Sequence, residues 1–587
     1  MANPTTACGN PFRLSSLSRL FMLILFTVLL SACAVTPEPL TEDELTQQAE
    51  EDRDLLFIAS GSGESIEPPP EVLTLPWAIT RALKYNLDHR IKAMKEALAL
   101  GQLDIDKFDL LPELVASAEY YDRSEYDAAR NMGIDGEETT IASYSSEKDY
   151  PSSSLTLSWN ILDFGISYYT AKQGADRVLI ARERRRKVIH NLIQEVSFAY
   201  WRVVAHQQLR EEIGATIELA RKELKEAEKQ EHQNIKPLEA LRDQKMLLKN
   251  IARLESMERE FSTAYIELAE LIRAQPEEIG KIRVAAPELG NSGYSKCPKW
   301  KYYEPDKLTD LAFRKNPDIL EKAYQSRIAV QETRKAILGL LPGITLTGSQ
   351  QYNGNDFLED KSWHEWSTEL TWNLLNILQA PTRIEHAESG EKLAETQRLA
   401  LRMAVLAQVH LAIRQFQHVS EEFEQADNLF RVTQRIADHV TKRGKHGKNS
   451  GRDAVYEKTS EITAQLERYQ VYAELQAADR QLHATIGIDI APPAMTSRDP
   501  EEVAAAVENR LRAWERGDLL KRVMAGNDLA DNMVFPKETS IDRHSRILIP
   551  EGIGRCDSPS RIPPGKKEVS FLRLARKLPP GGKAVFK

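Results

Sequence analysis

A short stretch of the chain occurs twice, and this duplication constrains the fold more than any other feature. Residues 157–164 read LSWNILDF, and residues 370–377 read LTWNLLNI, 213 positions later. A second set of residues recurs upstream of each stretch at a constant spacing of 230 positions. Its members are Ala82, Asn86, Asp88, Lys92, Ala93, Ala99, Leu110, Leu111 and Pro112, which return as Ala312, Asn316, Asp318, Lys322, Ala323, Ala329, Leu340, Leu341 and Pro342. Two blocks in the same order predict two copies of one structural unit.

Each copy has the pattern of a helix, a strand, a long loop, a second strand and a very long helix that returns as another helix. Apolar residues at helical spacing predict a first helix from Leu75 to about Leu110, which Pro112 ends. The long helices are predicted at residues 166–231 and 238–274, and again in the proline-free stretch 382–491, with a break near residues 443–452. A helix of about 65 residues would be about 100 Å long. Such helices need partners along their length, as in a coiled coil.

The predicted strands alternate in a way that fits two kinds of sheet. Leu155, Leu157 and Trp159 share one face of their strand, opposite hydroxyl side chains. A half-buried strand in a soluble sheet gives the same alternation. Strand lengths of about 10 residues, polar opposite faces and aromatic residues near strand ends favour a membrane barrel instead. The aromatic residues expected in a headgroup girdle are Tyr120, Trp159, Trp366 and Trp372.

Composition excludes several classes of function. The net charge is −9 and charged residues make up 28% of the chain, without the basic face of a nucleic-acid binder. The four cysteines and twelve histidines form no metal-binding or redox motif, and the run at residues 444–450 departs from a phosphate-binding loop. We therefore expect no enzyme, no metal site, no cofactor and no nucleic-acid partner.

The N-terminus has the features of an export signal. Arg13 and Arg19 precede an apolar run from Leu20 to Leu30, which is too short to cross a bilayer core of ~30 Å as a helix. The following Leu-Ser-Ala-Cys resembles the lipobox of bacterial lipoproteins, in which the cysteine, here Cys33, becomes the lipidated first residue. We expect a signal peptide at residues 1–32 and a lipidated tether at residues 33–71. Ala34 after the cysteine is compatible with export to the outer membrane.

Taken together, residues 72–490 resemble the TolC-type outer-membrane factor family, the exit ducts of tripartite efflux pumps and type I secretion systems. The resemblance rests on the duplicated unit, the Asn-x-Asp and Leu-Leu-Pro blocks, the strand endings and one helical turn. That turn carries Arg443, Gly447 and Asp453 at the spacing of the family. The corresponding first turn, at residues 229–239, lacks the arginine and the glycine.

The resemblance implies a fold, an assembly and a function. The fold is mixed and mostly α, with two tandem repeats, residues 72–290 and 291–490, that give long antiparallel coiled-coil helices in an α-barrel. Four strands per chain belong to a twelve-stranded β-barrel of a homotrimer in the outer membrane. The helical turns form a periplasmic tip, with Arg443, Gly447 and Asp453 as candidate gate residues. The expected partners are membrane lipid, a periplasmic adaptor protein and an inner-membrane pump of the RND, ABC or MFS type.

The alternative is a lipid-anchored periplasmic coiled-coil scaffold without a pore, whose strands would form a small soluble sheet. The C-terminal extension, residues 491–587, contains a helical patch from Glu501 to Leu520 and is otherwise expected to be partly disordered. The sequence identifies neither the transported substrate nor the spatial separation of Cys297 and Cys556.

Overall fold

The computed structural model describes most of the chain between residues 39 and 525. The described ranges are 39–55, 66–129, 143–233, 236–286, 304–444, 451–491 and 499–525. The predicted signal peptide, Cys33, Gly447, Cys297 and Cys556 lie outside them. All described residues belong to one unit of the chain, Met1–Asn532.

The same order of elements occurs twice, as two short helices, two long strands, a very long helix and a return helix. The helices are α1 Glu42–Leu55, α2 Leu75–Tyr85, α3 Leu87–Phe108, α4 Ile161–His232, α5 Pro237–Ile272, α6 Pro276–Ile279, α7 Pro305–Lys315, α8 Pro317–Leu338, α9 Leu375–Gly444, α10 Gly451–Ile486, α11 Pro500–Glu515 and α12 Asp518–Met524. The strands are β1 Val72–Leu73, β2 Glu113–Asp122, β3 Asp127–Ala129, β4 Ser143–Ser146, β5 Asp149–Asn160, β6 Arg283–Val284, β7 Gly343–Asn353 and β8 Ser362–Thr371.

The single helix predicted from Leu75 to about Leu110 is in fact two helices, because Asn86 interrupts it. The backbone of Asn86 is extended, and its side-chain oxygen accepts a hydrogen bond from the N–H of His89 at 3.1 Å. Asn316 interrupts the second copy in the same way and accepts from the N–H groups of two following residues, at 2.9 and 3.2 Å. An asparagine in this conformation satisfies free N–H groups at a helix start. The repeated Asn-x-Asp block therefore starts a new helix in each half.

The other repeated blocks form the junctions between helices and strands. The Leu-Leu-Pro block follows α3 and α8, and the first leucine N–H of each block donates to a carbonyl three residues earlier, at 3.2 Å in both halves. The Trp-Asn block ends β5 in the first half and follows β8 in the second. Asn160 accepts from the N–H of Leu162 at 2.9 Å, and Asn373 accepts from the N–H of Leu375 at 3.1 Å. The repeated sequence motifs thus lie where the chain changes from one element to the next.

The four long strands form one antiparallel sheet in the order β2-β5-β7-β8. Strands β2 and β8 are therefore its two edges. Two small pairings accompany the sheet: β1 pairs with β6 in parallel, and β3 pairs with β4 antiparallel.

The long helices pack side by side and are buried mainly against each other. Helix α4, with 72 residues, is about 108 Å long and contacts α3, α5, α8 and α10. Helix α9 has 70 residues and contacts α8 and α10. It begins at Leu375, earlier than the proline-free stretch suggested, and Pro381 lies in its second turn, where the proline cannot donate an internal hydrogen bond. No helix within the described ranges has both the length and the apolar character needed to cross a membrane.

Two apolar clusters form most of the core near the short helices. The first contains Tyr200, Trp201 and Tyr472, and the ring centroids of Trp201 and Tyr472 lie 4.7 Å apart. The second contains the fully buried Trp514 of α11, whose indole N–H donates to the carboxylate of Asp479 at 3.1 Å. The helical patch predicted from Glu501 to Leu520 is therefore present as α11 and α12, packed against both halves of the chain.

Candidate functional site

The four-stranded sheet has one apolar face and one polar face, as the alternation in the sequence predicts. Leu157 pairs with Leu114 on one side and with Gly348 on the other, and Gly348 pairs with Trp366. These residues share one face, because side chains directly opposite each other on neighbouring strands point the same way. The apolar side chains on this face are exposed: Trp366 is 83% accessible to solvent and Leu114 is 62% accessible. An exposed apolar sheet face needs a lipid or protein partner.

The opposite face carries hydroxyl, amide and carboxylate groups. The hydroxyl oxygens of Ser117 and Ser154 lie 2.7 Å apart across β2 and β5, and the amide of Asn160 donates to the hydroxyl of Thr345 at 3.2 Å across β5 and β7. None of the four strands contains lysine or arginine. The register places four carboxylates on this face, from Glu113, Glu119, Glu365 and Glu369.

The predicted girdle aromatics share the apolar face but lie at different heights. Trp159 is the second-last residue of β5, and Trp372 directly follows β8, where its indole N–H donates to the carbonyl of Leu340 at 3.1 Å. Tyr120 lies toward the opposite end of β2 and donates its hydroxyl to Asp149 at 3.1 Å.

Trp366 lies in the middle of β8, away from both strand ends. A Cβ atom added to Gly348 would lie 2.7 Å from Cζ3 of the Trp366 ring. The indole therefore covers the backbone of a residue without a side chain, which adds a packing role to its place on the apolar face.

Among the strands that the structure describes, both edge strands of the four-stranded sheet, β2 and β8, lack a strand partner on their outer side. Every residue of β2 and of β8 is exposed. The helices beside these edges also expose large apolar side chains, such as Leu98 of α3 and Leu378 of α9. An open strand edge and an uncovered apolar helix together indicate contact with another chain.

The candidate gate residues lie at the far ends of the long helices. Arg443 is in the last turn of α9 and Asp453 is in the first turn of α10, and both are exposed. Instead, an ion pair between Arg452 of α10 and Asp243 of α5 connects two helices at this end of the molecule. These two residues lie on the return helices of the two halves, so their contact joins one half to the other. No sequence motif pairs them, because they are more than 200 positions apart.

A small apolar cluster beneath this ion pair holds the same helices together. It consists of Ala220, Leu247, Ile251 and Val455, from α4, α5 and α10. At the first helical turn, Lys236 adopts a left-handed conformation with a φ of 49° directly before α5 begins.

A run of basic residues in α4 connects this helix to both halves, and sequence analysis missed its role. Arg185 pairs with Glu96 of α3 at 3.1 Å, and Arg186 pairs with Asp489 at 3.2 Å. Burial alone would raise the pKa of Asp489, but a hydrogen bond with His190 and the charge of Arg186 lower it well below its usual value. The run is a structural anchor of charged pairs, and a stretch of consecutive basic residues is its only signal in the sequence.

Comparison with known proteins agrees with this architecture. No protein-family model matches the chain. The probable outer membrane lipoprotein SilC of Salmonella typhimurium is 27% identical over 280 residues, which cover 46% of this chain and 53% of SilC. The match thus spans about half the length of this relative.

Solved structures match over a larger part of the chain. The Campylobacter jejuni CmeC outer membrane channel matches with a TM-score of 0.55 and 14% identity, over 81% of this chain and 98% of CmeC. The outer-membrane channel OprN matches with a TM-score of 0.53 and 14% identity, over 70% of this chain and 89% of OprN. The chain has the fold of the outer-membrane channels. The predicted resemblance to the TolC-type outer-membrane factors and the outer-membrane localisation are confirmed, and these similar proteins are channels rather than enzymes.

Proposed function

We propose that the chain assembles as a homotrimer into an outer-membrane channel, the exit duct of a tripartite efflux pump or a type I secretion system. In this proposal residues 72–290 and 291–490 are two tandem repeats. Each chain contributes four strands to a twelve-stranded barrel and its long helices to a periplasmic α-barrel. Solutes pass without covalent chemistry when the helical tip opens.

The observation that carries the proposal is the sheet, which has two open edges and one exposed apolar face and continues directly into helices of about 70 residues. Unpaired N–H and C=O groups at a strand edge are not tolerated in lipid, so β2 and β8 need strand partners there. Pairing of β8 of one copy with β2 of the next closes a barrel from three copies. Four strands alone are too few to close around a water-filled lumen.

Two further parts of the proposal come from the sequence. Cys33 is the lipidated residue that anchors the processed N-terminus in the outer membrane. The helical tip is the contact site for a periplasmic adaptor protein, which connects the duct to a pump of the RND, ABC or MFS type. These partners follow from the resemblance to the family.

The tip proposal gives the ion pair of Arg452 and Asp243 a gating role. The pair joins the return helices of the two halves at the end where the family closes its pore, and both side chains are partly buried, 31% and 18% exposed. A partly buried pair is less screened by water than a surface pair. Outward movement of the α9–α10 hairpin requires this contact to break. Arg443, Gly447 and Asp453 complete the candidate gate.

The first test combines oligomeric mass with conductance. Native mass spectrometry of the detergent-purified, full-length protein is expected to give a trimer. Planar-bilayer recordings are expected to give discrete but rare openings, which become more frequent in Arg452→Ala. Lys236→Ala is the matched control, because its exposed partner Glu239, at 3.1 Å, is only three residues further along at the start of α5, so this pair does not connect two helices. A monomer or dimer without conductance would contradict the duct and favour the scaffold.

A further inference from the structure

An apolar groove lies near the end of the helices that leads into the sheet. The strand pairing that closes the proposed barrel does not involve the residues of this groove. Its volume is about 870 Å³, and it is lined by α4, α8 and α9. On α8 and the residue directly after it, the lining residues run from Gln325 to Gly339, which corresponds to about 21 Å along the helix axis. Ile166, Ile328 and Ala336 are among the apolar residues that line it. An exposed apolar surface of this size between helices is typical of a ligand-binding groove.

The groove opens on the same side as the polar face of the sheet. The ring of Phe164 packs edge-on against Trp159 with centroids 5.8 Å apart, so Phe164 lies on the side of the apolar sheet face. Ile166 follows two residues later in α4 and points about 200° further around the helix, to the opposite side. In the proposed duct this opposite side is the lumen.

The rim of the groove is more basic than acidic. Arg383 and His386 of α9 line it together with Lys335 and Glu332 of α8. The ammonium group of Lys335 lies 3.4 Å from the carboxylate of Glu332, which offsets one of these charges. Arg383 is exposed, and no ion pair involves it among the described residues. A guanidinium beside an apolar floor suits a ligand with an anionic head and an aliphatic body.

Small residues create the space for such a body. Gly390, Ala387 and Ala329 line the groove together with Gly339. A Cβ atom added to Gly390 would meet no atom within 4 Å. A side chain at Gly390 therefore starts in open space beside the groove, which provides a direct way to block it.

From this arrangement we infer that the groove is a lumenal binding site for soluble anionic amphiphiles, such as fatty acids or alkyl sulfates, on their way through the duct. Membrane phospholipid has the same chemistry but meets the protein on the other sheet face. The lumenal placement rests on the proposed function, whereas the binding chemistry rests on the groove alone.

The test measures binding of dansylamino-undecanoate by fluorescence to the full-length protein in phosphatidylcholine nanodiscs. The probe is expected to bind saturably and to be displaced by dodecanoate, more weakly by dodecanol, and least by dodecyltrimethylammonium. Gly390→Leu is expected to weaken binding by roughly tenfold or more, because the leucine side chain fills groove volume that the alkyl chain of the probe would otherwise occupy. Gly214→Leu is the control, since this helical glycine also has no atom within 4 Å of an added Cβ and lies outside the groove.

Charge variants test the head-group contact separately. The double variant Arg383→Gln and Lys335→Gln is expected to lower the affinity for dodecanoate by roughly tenfold and to leave that for dodecanol unchanged. Equal displacement by the cationic amphiphile, or unchanged binding in Gly390→Leu, would overturn the inference. Loss of probe binding on adding phosphatidylglycerol to the nanodiscs would show that membrane lipid occupies the groove instead. Planar-bilayer conductance of the same variants distinguishes these results, since a duct without a groove ligand still conducts.

Discussion

The two halves of the chain end their return helices with the same backbone but with different residues. Arg273 follows α5 with a φ of 52°, and Gly487 follows α10 with a φ of 74°. After each of them, the next N–H donates to the carbonyl five residues earlier, at 2.9 Å in the first half and 3.1 Å in the second. This is the hydrogen bond of a Schellman motif, which requires a left-handed residue at that position. The end of the helix therefore requires a left-handed backbone in both halves. That requirement alone does not explain why one half has arginine and the other has glycine.

The difference lies in how closely a neighbouring segment approaches. A Cβ atom on Gly487 would lie 2.2 Å from the carbonyl oxygen of Lys315, which ends α7. In the first half Arg81 donates to the carbonyl of Ile272 at 3.0 Å, at the end of α5. A side-chain donor serves the helix end there, and the position after it accommodates an arginine. Glycine is therefore required only in the second half, where the backbone of Lys315 lies directly against this position.

The largest expected effect is that of Gly487→Ala. The substitution combines a left-handed backbone with a clash against backbone, so we expect a loss of more than about 3 kcal/mol in the free energy of unfolding. Thermal unfolding followed by circular dichroism at a fixed protein concentration measures it. Arg273→Ala is the matched variant, since a side chain already occupies that left-handed position. A similar loss in both variants would show that strain alone, and not the approach of Lys315, selects the glycine.

A second contrast between the halves depends on pH. His89 of α3 is buried, and Nε of Arg185 donates to its Nε2 at 3.2 Å, which requires that this ring nitrogen carries no proton. Burial, with the charge of Arg185 as the next cause, lowers the pKa of His89 to about 4. The equivalent position in the second half is Ile319, which cannot titrate.

Stability is expected to fall as this histidine is forced to take up a proton. Because the pKa in the folded state lies below the unfolded value of about 6.5, the contribution is complete above that pH and is lost as the pH falls toward 4. The loss amounts to at most about 3 kcal/mol. His89→Ile copies the second half and should reduce the fall in unfolding temperature between pH 7 and pH 4. An identical pH profile for the variant would assign the dependence to other groups.

A smaller difference in stability is expected between variants of the two capping asparagines, Asn316 and Asn86. Asn316 is buried, and its amide donates to the carbonyl of Thr485 at 2.8 Å, whereas the corresponding bond from Asn86 to Leu271 is 3.4 Å long. We expect Asn316→Ala to cost about 2 kcal/mol and Asn86→Ala about 1 kcal/mol, because only the first leaves a deeply buried carbonyl without its donor. Denaturant unfolding of the two variants side by side gives the difference. The reverse order would contradict a role for burial here.

These contrasts also show which features a sequence can predict. The faces of the sheet follow from side-chain alternation, and the Trp-Asn and Leu-Leu-Pro blocks mark element junctions because those hydrogen bonds are local. The break at Asn86 was missed, since apolar residues continue at helical spacing from Leu83 to Leu87 and Ile91 across it. The ion pair of Arg452 with Asp243 was missed for another reason. Contacts between helices that are distant in sequence depend on packing, which no local pattern records.

The smallest expected effect concerns the first helical turn, where Lys236 has a left-handed backbone in the half that lacks the family's glycine. A left-handed conformation costs a non-glycine residue roughly 1–2 kcal/mol, and its exposed pair with Glu239 contributes little. We expect Lys236→Gly to raise the free energy of unfolding by about 0.5 kcal/mol, since the greater freedom of glycine in the unfolded chain offsets part of the relief. Lys236→Ala keeps the strain and should give no gain. If both variants are neutral, the strain at this turn is already relieved by the surrounding backbone, and the two tips differ in sequence without differing in stability.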